Sequence, residues 1–499
     1  MTNAITDLRE RLAGLTDLGH VAQLLDWDQQ TMMPPGGGPA RAEAKATIGR
    51  IRHELFIADE TGRLLQEAGD QCNGASPDSD EVSLVRVVRR RWEKARRVPA
   101  ELAAEMARAG ALGHEAWVLA RANRDYESFA PYLERNIQLT RQYIECLPEF
   151  DEAYDALLDD YEPGMRAAEV RRIFTELRDE LVPLIAAIAA TKQVDDSCVH
   201  GSFPVAGQRA LVAAVLERMS FDRERWRLDE AAHPFATSFG CDDVRLTTRW
   251  DETYFPAALY GAMHECGHGL YEAGIARSLQ RTPLGHAESL GLHESQSRMW
   301  ENMVGRSRAF ATVLAPLVGE HLGVSATPDT LFRAVNSVAP SFIRVEADEA
   351  TYGLHIVIRF ELEQELIEGR LSVADLPEAW NSRYRDYLGL EVTDPALGVL
   401  QDVHWSGGAI GYFPTYALGN LIAGQLWERV HRDIPELDSQ IEAGELMGLR
   451  EWLREHVHRH GAKFAMPELL QRVVGGPIAV GPFIAYLKDK LGDVYDTTL

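Results

Sequence analysis

The segment His264-Glu265-Cys266-Gly267-His268 holds the clearest chemistry in the sequence. Histidines at positions i and i+4 of a helix project from one face, so His264 and His268 can share a zinc ion with Glu265 beside it. Zinc in such a site acts as a Lewis acid. Glu265 is suited to accept a proton from an attacking water and hand it to a leaving amine, which is the chemistry of peptide hydrolysis.

Catalytic zinc usually takes three protein ligands and keeps one position open, so another carboxylate or imidazole must come from elsewhere. Glu288 and Glu294 compete for that role on spacing alone. An oxyanion formed during acyl transfer needs hydrogen-bond donors in a water-poor site. The stretch Gln401-Asp402-Val403-His404-Trp405, followed by Tyr412-Phe413-Pro414-Thr415-Tyr416, offers such donors, and Gly407, Gly408 and Gly411 permit close backbone approach. Taken alone, this cluster reads more readily as aromatic packing beside a loop, and Arg344 more readily as a surface ion-pair partner than as a carboxylate clamp. Cys266 is two residues from each histidine and is read as packing.

These groups need rigid carriers. Pro256 suits a first helical turn, Ala257 to Tyr271 contains good helix formers and Gly274 can end the helix. A second helix is expected from Ser289 to Arg308, packed down by Leu292, Met299, Trp300 and Met303. Apolar residues recur at three- and four-residue spacing over 102–119 and 170–184, which makes the fold mainly α. Pro34 to Gly38 breaks an early helix, and Gly69 to Asp80 reads as a surface loop. Between Val194 and Trp250, turn residues alternate with β-prone runs, and a small antiparallel sheet is expected there. Preceding the metal segment, it would wall one side of a cleft and offer an edge strand to an extended peptide.

The chain has 499 residues, 45% hydrophobic and 25% charged, enough for a large core. A formal charge of -25 argues against a nucleic-acid partner. The N-terminal residues lack the pattern of a secretory signal, and Leu181 to Ala190 is too short an apolar run to span a bilayer, so a cytoplasmic protein is expected. Cys72, Cys146, Cys198, Cys241 and Cys266 are scattered and odd in number, which points to free thiols.

At these residues the sequence resembles the carboxypeptidase Taq family of zinc metallocarboxypeptidases. The resemblance rests on His233-Pro234-Phe235, Asp243-Val244-Arg245-Leu246-Thr247, the HECGH segment, His293-Glu294-Ser295-Gln296, Ile343 to Asp348 and Gly398 to Trp405, in that order. Leu24 to Pro34 and Phe483 to Tyr495 are similar to the family's two ends, so residues 1–499 are read as one domain. The resemblance implies a helical body with a deep cleft, of the angiotensin-converting enzyme and neurolysin type, and a homodimer. It makes Glu294 the third ligand of the zinc, for which cobalt is an alternative metal, and Glu265 the general base and acid. It assigns Arg344 to the substrate's terminal carboxylate, and His233, His404, Tyr412 and Tyr416 to the substrate backbone or oxyanion. Arg298 stands where related enzymes place an Asp that orients a zinc histidine, so that orienting group is unassigned, with Asp348 and Asp402 as candidates. The expected activity is release of single C-terminal residues from peptides with broad tolerance. An endo-acting oligopeptidase and a silent peptide-holding scaffold are the alternatives.

Overall fold

A computed structural model describes residues 3–499. Helices dominate it. The first, Ala4–Thr31, turns at Pro34 into the Gly38–Ile57 helix, and the two lie side by side with Arg41 on the Leu25 carbonyl and on Asp28. The periodic stretches at 102–119 and 170–184 fall inside the helices Ala100–Asn123 and Ala167–Ala189. The loop expected from Gly69 is shorter than that: buried Leu64, Leu65 and Ala68 carry the Asp59–Gln71 helix through Gly69, and the next helix begins at Asp80 behind a Ser79 cap. No helix among the described residues is long and apolar enough to cross a membrane.

The small sheet is present but is mixed rather than antiparallel. Its strands β1 (Trp226–Glu230), β2 (Ala236–Ser238) and β3 (Val244–Thr248) lie in the order β1-β3-β2. β2 and β3 form an antiparallel hairpin with Ala236 opposite Leu246, whereas β1 runs parallel to β3 with Trp226 opposite Val244. The cause is burial: Val244, Leu246, Thr247 and Thr248 are all buried, so β3 occupies the middle and separates the two strands that precede it.

The sheet packs against the Phe255–Gly274 helix. A Cβ at Gly269 would fall 2.7 Å from the Trp226 ring and 2.8 Å from Val244 Cγ1, so only glycine lets the helix sit this close. Pro256 lies in the helix's first turn and Gly274 closes it, as the sequence suggests.

The helix expected from Ser289 to Arg308 is instead a composite. Ser289 caps Leu290–Arg298, a π-helical stretch covers Met299–Val304, and Ser307 caps a new helix, Arg308–Leu322. Gly305 N donates to Trp300 O, five residues back. A Cβ at Gly305 would meet Glu301 O at 2.6 Å and the Met263 side chain at 2.7 Å, so tight packing on the neighbouring helix accompanies the widened turn. It keeps Met299, Trp300, Met303 and Val304 all buried.

Candidate active site

His264 and His268 project from the same face of the Phe255–Gly274 helix, and Glu294 meets them from Leu290–Arg298. Glu294 Oε2 lies 3.5 Å from His264 Nε2 and 3.4 Å from His268 Nε2. Ligand atoms about 2.1 Å from a tetrahedral ion stand about 3.4 Å apart, so this donor set fits a divalent metal of zinc's preferences. Glu288 is elsewhere, its buried carboxylate held by Arg90 and Arg91.

Backbone contact makes the meeting of these short side chains possible. A Cβ at Gly267, between the two histidines, would lie 2.7 Å from Ser297 Cα and 2.8 Å from Gln296 O. On the other side, a Cβ at Gly419 in the helix Pro414–Asp433 would lie 2.6 Å from Glu294 Cγ. Three helices therefore close on Glu294 at two glycines.

Each of the three groups has its own support. Glu301 Oε2, on the π-helical turn, lies 2.9 Å from His264 Nδ1. Arg298 Nε donates to Glu294 Oε1 at 2.7 Å, which leaves Oε2 turned to the histidines. Burial pushes the Glu294 carboxyl up, but Arg298 and the two histidines outweigh it and hold the group well below its ordinary range. His268 Nδ1 faces His293 Nδ1. The two candidates for an orienting group act elsewhere: Asp348 caps the Glu349–Glu368 helix through Ala350 N and Thr351 N, and Asp402 pairs with Arg344 and Arg359.

Glu265 is buried next to this cluster. Burial raises its carboxyl to about 7, helped by Glu294 and Glu301 and opposed by His264 and Arg298. A carboxyl poised there exchanges protons readily near neutrality.

The second group of expected residues gathers around the segment 404–416. His404 Nε2 is 3.2 Å from the Tyr416 hydroxyl, and the Tyr412 and Tyr416 rings are 5.2 Å apart. Tyr416 lies one helical turn before Gly419, which places it on the approach to Glu294. Burial takes the His404 imidazole down to about 4 and the Tyr416 hydroxyl well up, so near neutral pH the first is uncharged and the second keeps its proton.

Arg344 is buried under the same group, with its guanidinium 4.8 Å from the Tyr416 ring centre. Its Nε donates to Asp402 Oδ1 at 3.0 Å and its Nη1 to the Tyr352 hydroxyl at 3.0 Å. Arg359 Nε takes the other oxygen, Asp402 Oδ2, at 2.7 Å. Two guanidiniums thus share one carboxylate, and the cluster retains an unmatched positive charge.

His233 stands apart as an exposed residue of the turn between β1 and β2. Its neighbour Pro234 would lie 3.9 Å from a Cβ at Gly261, which puts the turn beside the metal-facing helix one turn before His264.

Several residues that shape this site lie outside the sequence motifs. Glu363 accepts from Trp405 Nε1 at 2.7 Å, from Gly411 N at 3.0 Å and from the Tyr154 hydroxyl at 2.5 Å, and so anchors both ends of the His404 loop. Asn136 Nδ2 donates to the carbonyls of Trp405 and Ser406. Glu301 follows Glu294 by seven residues and Arg298 by three, a one-face spacing that marks it. Glu363 has no such signal, because its partners are distant in the chain.

The sequence model of the carboxypeptidase Taq (M32) metallopeptidases matches residues 7–491. The thermostable carboxypeptidase 1 of Thermus thermophilus is 42% identical over 504 aligned positions, covering 98% of both chains. Among solved structures, the M32 carboxypeptidase of Deinococcus radiodurans superposes with a TM-score of 0.95 at 38% identity, over 99% of this chain and 100% of that one. The Pyrococcus furiosus carboxypeptidase gives 0.95 at 34% identity, over 98% of this chain and 99% of that one. A match of sequence and fold along nearly the whole length, around a His-His-Glu group able to hold a metal, places this chain in the carboxypeptidase Taq (M32) family of metallopeptidases.

Proposed function

We propose that the protein is a zinc-dependent carboxypeptidase that releases single C-terminal residues from peptides with broad side-chain tolerance. The observation that carries this reading is the convergence of His264, His268 and Glu294 beside buried Glu265. The carboxypeptidase names of the relatives, including that of Thermus thermophilus, agree with it.

His264, His268 and Glu294 hold the zinc, with cobalt as an alternative. When bound, the metal supplies Lewis acidity toward a water and the scissile carbonyl. Glu265 takes a proton from the attacking water and delivers it to the leaving amine. Tyr416, which keeps its proton, donates to the developing oxyanion, with His404 beside it. Arg344 binds the terminal carboxylate, supported by the unmatched charge it shares with Arg359. Tyr412 and His233 contact the substrate backbone. In this reading residues 1–499 act as one domain with a deep cleft, comparable to angiotensin-converting enzyme and neurolysin, and work as a homodimer in the cytoplasm.

The test is to incubate the zinc-loaded protein with one peptide carrying either a free or an amidated C-terminus, and to follow products by mass spectrometry beside a chelated control. Stepwise loss of residues from the free form alone is expected. Internal cuts in both forms would replace this reading with an oligopeptidase, and no cleavage of either would leave a scaffold without turnover.

A further inference from the structure

The metal-facing helix carries a third ionisable side chain in register with the two histidines. Glu272 follows His268 at the same four-residue interval that separates His268 from His264, so all three share one face. Glu272 is too far along to join the metal group. Its Oε1 instead lies 3.0 Å from His293 Nε2, and His293 Nδ1 faces His268 Nδ1.

This arrangement fixes where the protons sit. A carboxylate only accepts, so His293 must donate through Nε2. With one proton on each ring, His293 presents a lone pair at Nδ1, which accepts the Nδ1 proton of His268. His268 is left with a free lone pair on Nε2, the atom that faces Glu294 Oε2 at 3.4 Å. A proton on the wrong nitrogen of either ring would put a hydrogen where a metal must bind.

The remaining contacts hold the relay in place. Glu272 Oε2 accepts from Ser238 Oγ at 3.2 Å and lies 3.3 Å from His286 Nδ1, so the carboxylate is tied to β2 and to the 286 turn as well. Beyond His293 the near-parallel rings of Tyr271 and His458 continue the row at 5.1 and 5.0 Å, and His458 Nε2 meets Gln296 Oε1 at 2.8 Å.

We propose that His293, itself held by Glu272, is the positioning residue that sets the tautomer and orientation of His268 for metal binding. His264 has a carboxylate, Glu301, directly on its Nδ1; His268 receives the same service through an intervening imidazole. The proposal rests on the metal reading given above.

The experiment measures the zinc affinity of the full chain by competition with a chromophoric chelator, together with the thermal midpoint of each metal-free protein. His293→Phe keeps a planar ring but removes the acceptor, and it is expected to weaken zinc binding on the order of 10- to 100-fold. His293→Gln, whose amide oxygen can accept from His268, recovers most of that loss. Glu272→Gln falls between them. Tyr271→Phe removes a buried hydroxyl that has no hydrogen-bond partner among the described residues and leaves the affinity unchanged. Parental affinity in His293→Phe would overturn the proposal. So would equal weakening in His293→Gln and His293→Phe that tracks a lowered thermal midpoint, since that is the mark of packing alone. Failure of the parent to bind zinc would overturn the metal reading itself, and this proposal with it.

Discussion

The metal-facing side of the site rests on helix backbones in contact, while the His404 side rests on a loop held by hydrogen bonds from side chains. Gly267 and Gly419 bring three helices onto Glu294 with no room for a methyl group. The loop from Gly398 to Gly411 reaches its place because Glu363, Asn136 and Trp117 grip it, the last by donating from Nε1 to Leu400 O at 2.9 Å. Packing of the first kind tolerates no small change, whereas a hydrogen-bonded loop yields by degrees.

The sharpest way to break this contrast is Gly267→Ala. The new methyl would meet backbone rather than a flexible side chain, so the helices must separate. We expect zinc affinity and activity to fall together, with a stability loss of about 1–3 kcal/mol for the overpacked core. A variant that keeps full zinc affinity would show that backbone contact does not set the metal geometry.

Arg344→Ala tests the opposite side. Losing a charge-assisted hydrogen bond costs about 1.5–3 kcal/mol, so kcat/KM for a free-carboxylate peptide should fall roughly 10- to 100-fold, with zinc content unchanged. Asp402 remains paired with Arg359 in that variant. An equal fall on any amidated peptide that the enzyme cleaves would remove Arg344 from carboxylate recognition.

Glu363→Gln leaves the size of the side chain intact but replaces one acceptor oxygen with a donor, facing Trp405 Nε1 in place of Oε1 or both Gly411 N and the Tyr154 hydroxyl in place of Oε2. The expected result is a loss in kcat/KM of about tenfold, from about 1–2 kcal/mol of hydrogen bonding, again without loss of zinc. Unchanged kinetics would mean that Glu363 does not position the loop.

The same residue also gives an effect read through pH. Burial raises the Glu363 carboxyl from 4.5 to about 7, against the pull of its three donors. Its protonated form therefore favours the folded state below the unfolded value, and that contribution is lost as pH rises through about 7. Relative to Glu363→Gln, the parent should lose up to about 3 kcal/mol of stability between pH 4.5 and 7 and no more above it. Parallel stability curves for the two proteins would contradict the buried, protonated carboxyl.

Much of this architecture can be read from local spacing. The metal-facing helix follows from His264 and His268 four apart between Pro256 and Gly274, and the helical class follows from apolar periodicity. Glu272 and Glu301 are legible by the same rule, at four residues after His268 and seven after Glu294, although the HECGH segment by itself marks neither. The strand pairing was not legible, since β3 inserts between β1 and β2 for reasons of burial that alternation does not reveal. Nor was the π-helical turn, which goes with a contact between Gly305 and Met263 from another helix. Glu363 was beyond reach because nothing near it in the chain reports its three partners.

The central claim, a metal held by His264, His268 and Glu294 with Glu265 moving the proton, is tested most directly by measuring zinc content and peptide hydrolysis on the same samples of Glu265→Gln and Glu294→Ala. Glu265→Gln should retain the parent's zinc while turnover drops by about 10²- to 10⁴-fold, and Glu294→Ala should lose both. Near-normal turnover in Glu265→Gln, or tight zinc in Glu294→Ala, would contradict the account.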